Sequence, residues 1–124
     1  NIQFIPHKMF KKTEIPEVVP FRSRVYVDFF IENYHGTTYI IEYNGVQHYK
    51  PSNAFAKNRK DFLDQIGRDC AIKKFCERMN FIFIEIPYTV RMEDKIKEGI
   101  DKILNKGVLP TDVFPTLIPE KINN

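Results

Sequence analysis

The order of strand-like and helix-like segments is the feature that most constrains this chain. Arg24–Ile31 (RVYVDFFI) is β-branched and aromatic and reads as a strand. Asn33-Tyr34-His35-Gly36 is a turn signal, and Thr37–Tyr43 (TTYIIEY) reads as the second arm of a hairpin. Asn44-Gly45 ends that arm, and Gln47–Asn58 reads as an irregular loop. Lys60–Met79 then carries a helical period. At about 100° per residue, Phe62, Ile66, Ile72, Cys76 and Met79 form one apolar face. Asn80 suits a cap, Phe81–Ile86 (FIFIEI) is a strand interrupted only by Glu85, and Pro87 closes it.

A second helix is expected over Met92–Lys106, with Ile96, Ile100, Ile103 and Leu104 as its stripe and Gly107 as its C-cap. Upstream, Ile2–Ile5 reads as a short extended piece followed by a loop or helical turn. The order is β, β-hairpin, long helix, β, helix, which gives a small α/β sheet with helices packed on it. Residues 1–107 form this domain, and residues 108–124, with three prolines, form a tail over the surface or a linker.

With 124 residues the chain fits one domain, and its hydrophobic and charged fractions, 43% and 28%, suit a globular protein. No apolar run reaches the length of a membrane span, and no secretory leader is visible. The start at Asn1 suggests a piece of a larger polypeptide. Cys70 and Cys76 are six residues apart on the helix and cannot bridge. Two free thiols fit a reducing, intracellular setting, with cytoplasm and nucleus both open.

Charge is unevenly distributed. Residues 1–27 carry net +3 and residues 50–80 net +4. Between them, residues 28–49 carry Asp28, Glu32 and Glu42 with no Lys or Arg. An acidic island between basic stretches suits a cation held against a polyanion, or else a solvated surface.

Asp28 interrupts an aromatic strand and Glu42 lies near the end of the next. Paired as a hairpin, they make a hard oxygen site for Mg²⁺ or Mn²⁺; the alternative is two acids on a wet sheet face. His48, just past the turn, is a general base or ligand if it lies near that pair, and otherwise a surface residue. Asp69 and Lys73, spaced i, i+4, fall in the middle of the apolar face. They either border a polar cleft or neutralise each other in the core. Lys50, Lys57, Arg59 and Lys60, with Phe55 among them, suit a nucleic-acid backbone or a solvated loop. Gly-rich phosphate loops, GxSxG and HExxH are absent from the sequence.

RVYVDFFI, IIEYNGVQHY, QIGRDCAIKKFC and NFIFIEIPYT, in that order, resemble the PD-(D/E)XK nuclease superfamily. The nearest branch is the very-short-patch-repair-like group that includes phage and viral homing endonucleases. The resemblance covers about residues 22–104. It implies a restriction-endonuclease-like fold, a small mixed β-sheet flanked by helices, and a Mg²⁺- or Mn²⁺-dependent endonuclease acting on DNA. Asp28 matches the central metal-binding Asp, Glu42 the variable position, His48 the His and Asp69 the helical Asp. A backbone carbonyl near Tyr43 completes the expected metal set, and Lys73 stands in for a lysine moved off the strand.

Two positions depart from the pattern. No N-terminal helix supplies the leading Glu, for which Glu14 and Glu17 are weak substitutes, and Asn44 stands where the wider superfamily has Lys. These departures leave open a non-catalytic nucleic-acid-binding module on a decayed nuclease fold. An RNA-directed endonuclease is the other alternative.

Overall fold

A computed structural model describes residues 3–18, 23–51 and 56–121, the last stretch with side chains from residue 59 onward. The protein is a mixed α/β fold, a four-stranded mixed sheet flanked by helices. Strands β1 (Ile5–Lys11), β2 (Arg24–Tyr34) and β3 (Thr37–Asn44) are successive antiparallel neighbours. The long helix α1 (Ala56–Met79) then crosses over, so β4 (Ile82–Pro87) lies parallel to β3. Helices α2 (Glu93–Lys106) and α3 (Pro110–Val113) follow.

The sheet buries both faces. Against α1 pack Phe10, Val25, Val27, Phe30 and Ile40, with Ala71, Ile72, Phe75 and Cys76 from the helix. Against α2 pack Ile31, Tyr39, Ile41, Ile84 and Ile86, with Ile103, Leu104 and Phe114. This explains the nearly continuous apolar runs of β3 and β4, since strands covered on both faces have no wet side.

Several expectations are corrected here. Of the expected Ile2–Ile5 piece, Ile2 lies outside the described residues and Gln3 and Phe4 precede the first strand, which is Ile5–Lys11. It gains its ladder from β2, a partner that local sequence cannot show. Before β2 the expected loop or helical turn is borne out by a 3₁₀ turn, Pro16–Val18, whose Val18 is fully buried. The loop after β3 holds a second 3₁₀ turn, Val46–His48, and α1 begins at Ala56. The buried face of α1 is displaced from the expected one. Ala71 and Phe75 belong to it, whereas Met79 is 42% exposed. Asp69 and Lys73 therefore lie at its margin and not in its middle. Asn80 and Gly107 both adopt the left-handed conformation expected of helix-terminating residues. Both cysteines are free, Cys70 exposed and Cys76 buried.

The segment after α2 is anchored. Phe114 enters the second core beside Gly99, where a Cβ would come within 2.5 Å of the Phe114 ring. Farther on, the Glu120 N–H donates to the Tyr49 carbonyl at 2.7 Å.

Candidate active site

The site begins at an irregularity in the sheet. The β1–β2 register passes from Pro6↔Phe29 to Lys8↔Val27 without pairing His7 and Asp28, and His7 has φ of 51°. Val25, Val27 and Phe30 all face α1, so the in–out alternation changes parity around Asp28. The β2–β3 pairing runs to Phe29↔Ile41. The Tyr43 N–H beyond it donates to the Asp28 carboxylate at 2.8 Å. Asp28 thus substitutes a side-chain oxygen for a backbone acceptor and is held beside Glu42.

Glu42 is only 5% exposed. Burial pushes its carboxyl up to about 8, against the pull of Arg68. The charge of Asp28 and its hydrogen bond to Glu42 add to the rise, with a smaller contribution from Asp69. Burial thus disfavours the Glu42 carboxylate unless positive charge lies against it, and a cation beside Asp28 and Glu42 would supply that charge.

Among the described residues, no group of three or more His, Cys, Asp or Glu gathers as a metal cage. Two carboxylates are nonetheless a donor set that Mg²⁺ accepts alongside water and phosphate oxygens. The buried Glu42 and the partly buried Asp28 fit such an ion on charge and on donor type.

A second cluster adjoins the first through Arg68. Its Nη2 donates to the Tyr26 carbonyl at 2.8 Å and lies 3.4 Å from Glu42, while its Nη1 lies 3.2 Å from Asp69. Asp69 also accepts from the Gln65 amide at 2.9 Å, one helical turn away. On its other oxygen it meets His48 Nδ1 at 2.7 Å. The 3₁₀ turn at Val46–His48 delivers the imidazole to α1, where its side chain is 11% exposed.

A third group lies one strand over. Glu85 is the register partner of Glu42. It accepts from the buried Tyr49 hydroxyl at 2.5 Å and pairs with Lys73 at 3.2 Å. Burial, then Glu85, pushes the Tyr49 hydroxyl well above the usual phenol range. The Asn44 side chain reaches that hydroxyl, and its own Oδ1 is buried without a hydrogen-bond partner.

Asp28, Glu42, His48 and Asp69 are thus brought into one constellation. Of the two readings of Asp69 and Lys73, the mutual pair is not formed; Asp69 binds His48, Gln65 and Arg68, whereas Lys73 binds Glu85. At Tyr43 the backbone contact to the site is an N–H given to Asp28. Glu14 and Glu17 lie at the opposite end of α1. Glu17 pairs there with Arg78, and the Glu14 carbonyl accepts from the same guanidinium. Nine residues separate Asp69 from Arg78, roughly 13 Å along a helix, so neither acid supplies the leading Glu. Lys50 and Lys60 are exposed and Arg59 is partly buried; the Lys57 side chain and Phe55 lie outside the described residues.

Sequence reasoning missed Arg68, Gln65 and Tyr49. Arg68 is adjacent to Asp69, and Gln65 precedes it by one turn, the spacing of a hydrogen-bonded pair. That spacing was the available signal.

No protein-family model matches the chain. No solved structure matches it either. Relatives are found among viral proteins described only as uncharacterized. Protein 307L of Invertebrate iridescent virus 6 is 45% identical over 51 residues, 41% of this chain and 26% of that protein. Protein 033L of Invertebrate iridescent virus 3 is 35% identical over 54 residues, 44% of this chain and 28% of that protein. Protein 094L of Frog virus 3 is 42% identical over 52 residues, 41% of this chain and 34% of that protein. Each match therefore spans between a quarter and about a third of the relative's length.

Proposed function

We propose that this chain is a metal-dependent endonuclease that hydrolyses DNA phosphodiester bonds, in the manner of the PD-(D/E)XK nucleases it resembles. The observation that carries the reading is the buried Glu42 beside the partly buried Asp28 on adjacent strands, with the His48–Asp69 dyad joined to them through Arg68. The mixed sheet with a crossover helix between β3 and β4 is compatible with a restriction-endonuclease-like core.

Asp28 and Glu42 would hold Mg²⁺ or Mn²⁺. Such an ion, when bound, polarises a phosphoryl oxygen and lowers the pKa of a bound water. Asp69 takes the Nδ1 side of His48, leaving Nε2 as the nitrogen for accepting a proton from the attacking water. Arg68 supplies the nearest positive charge for the developing phosphorane, the role expected of Lys73. Lys50, Arg59 and Lys60, with Lys57, would follow the backbone of the strand. The two free thiols suit an intracellular enzyme.

The Asn44 side chain, standing where the wider superfamily has a lysine, favours the second reading, a nucleic-acid-binding module without catalysis. One experiment separates the two. Supercoiled plasmid and matched DNA and RNA oligonucleotides are incubated with wild type and Asp28→Asn, in Mg²⁺, Mn²⁺ or chelator. Metal-dependent cutting of DNA by wild type alone is the expected result. Binding without cutting under every condition establishes the module, and cutting confined to RNA changes the substrate.

A further inference from the structure

A cavity of about 250 Å³ opens beside Glu85, between α1, β4 and the segment that follows α2. Phe83 and Phe114 contribute apolar ring surface. Lys73 and Glu85 form a charged edge, and Thr111 and Thr116 add hydroxyls. The Lys73 ammonium lies 3.2 Å from Glu85 and 6.0 Å from the Phe83 ring centre. Lys73 is half exposed and carries three donors, so its bond to Glu85 leaves capacity for a ligand. Apolar walls with a few convergent polar groups are the usual make-up of a small-ligand site, and this volume suits one ring system rather than a drug-sized molecule.

The position adds to the composition. Glu85 is the register partner of Glu42, and adjacent strands are about 4.8 Å apart. A group in the cavity is therefore one strand removed from the acidic pair, the reach of a nucleotide next to a phosphate held there.

We propose that this cavity receives the nucleobase flanking the scissile phosphate, unstacked from its neighbours. The inference rests on the nuclease reading for its biological setting. Enzymes that handle an extruded base hold it by stacking against apolar side chains and by hydrogen bonds along its edge. Here Lys73 offers a donor beside the Glu85 acceptor. That edge matches a ring acceptor next to an exocyclic amino group, as adenine and cytosine present, better than thymine, which has no amino group. The walls supplied after α2 give that segment a function, since without it the cavity would be open sheet edge.

The test separates this inference from the nuclease reading by using mononucleotides without metal. Binding of dAMP, dCMP, TMP and deoxyribose 5-phosphate is followed by NMR on the wild-type chain and on Thr116→Trp, which fills the cavity from an exposed position. Wild type should bind dAMP and dCMP at least about fivefold more tightly than TMP, and the base-free sugar phosphate most weakly. In Thr116→Trp those differences should vanish while the fold, judged by its spectrum, persists. Thr111→Trp should do the same from another wall. Equal affinity of wild type for dAMP and deoxyribose 5-phosphate would overturn the base pocket, whatever the cleavage assay shows. Base-dependent binding with no cleavage of any polymer would keep the pocket and overturn the nuclease.

Discussion

The Asp28 carboxylate accepts the backbone N–H of Tyr43 at 2.8 Å, so a side chain of β2 completes a hydrogen bond of β3. One oxygen atom thereby ties a candidate metal ligand to the sheet. The following residue of β2 resumes regular pairing at Phe29↔Ile41, and the residue before Tyr43 is the buried Glu42. The Asp28 carboxylate is thus held by backbone structure, whereas Glu42 is met by the Arg68 side chain.

Asp28→Asn keeps an acceptor for Tyr43 and removes the charge. Cleavage should fall at least about 100-fold, while urea unfolding should shift by no more than about 1 kcal/mol. Mn²⁺ should raise the melting temperature of wild type and not of the variant. An equal shift in both would remove Asp28 from the metal site.

Glu42 is raised from 4.5 to about 8, mainly by burial. A carboxyl that is more basic folded than unfolded binds more protons in the native state between those values. Its contribution to stability is complete below about pH 4.5 and is lost as pH rises through about 8. Denaturation in chelator should show this decline, on the order of a few kcal/mol between pH 5 and 9. Glu42→Gln should flatten it. A profile unchanged by the substitution would show that Glu42 does not hold the proton.

Asp69 and Lys73 share a helix turn but have different partners. A double-mutant cycle with Asp69→Asn and Lys73→Met should give a coupling below about 0.5 kcal/mol. The His48–Asp69 cycle should give roughly 0.5–3 kcal/mol. Activity should fall in every variant that loses His48 or Asp69. Strong coupling between Asp69 and Lys73 in unfolding would reinstate a structural bridge.

Gly99→Ala should destabilise the protein. Alanine improves helix propensity by about 1 kcal/mol, but its Cβ would meet Phe114 Cζ at 2.5 Å and Val113 Cγ1 at 2.6 Å. Overpacking of this kind costs about 1–3 kcal/mol. The displaced segment should become sensitive to limited proteolysis after α2, and cleavage products ending there would be seen by mass spectrometry.

Lys50, before α1, and Lys60, near its N-terminal end, are both exposed. Replacing both with Ala should lower the slope of log affinity against log salt by up to about 2 units on duplex DNA, at about 0.9 per phosphate contact. An unchanged slope would assign them to the solvated surface.

The sequence by itself determined the elements whose signal is local. The hairpin turn at His35-Gly36, the amphipathic stripe of α2 and its Gly107 terminus depend on residues within a few positions of one another. Asp28 and Glu42 were legible for the same reason, since each breaks an otherwise apolar strand and a hairpin brings such neighbours together. Tertiary structure decided what depends on partners far along the chain. Strand β1 exists because β2 pairs with it, and the buried face of α1 is set by where Phe10, Val27 and Phe30 meet Ala71 and Phe75. Crossover packing likewise placed Lys73 on Glu85 and left Asp69 to His48, although helical spacing had allowed the two to pair. A helix offers each charged residue several possible neighbours; the sheet against which it packs supplies the acid, and the 3₁₀ turn after β3 the imidazole, that select among them.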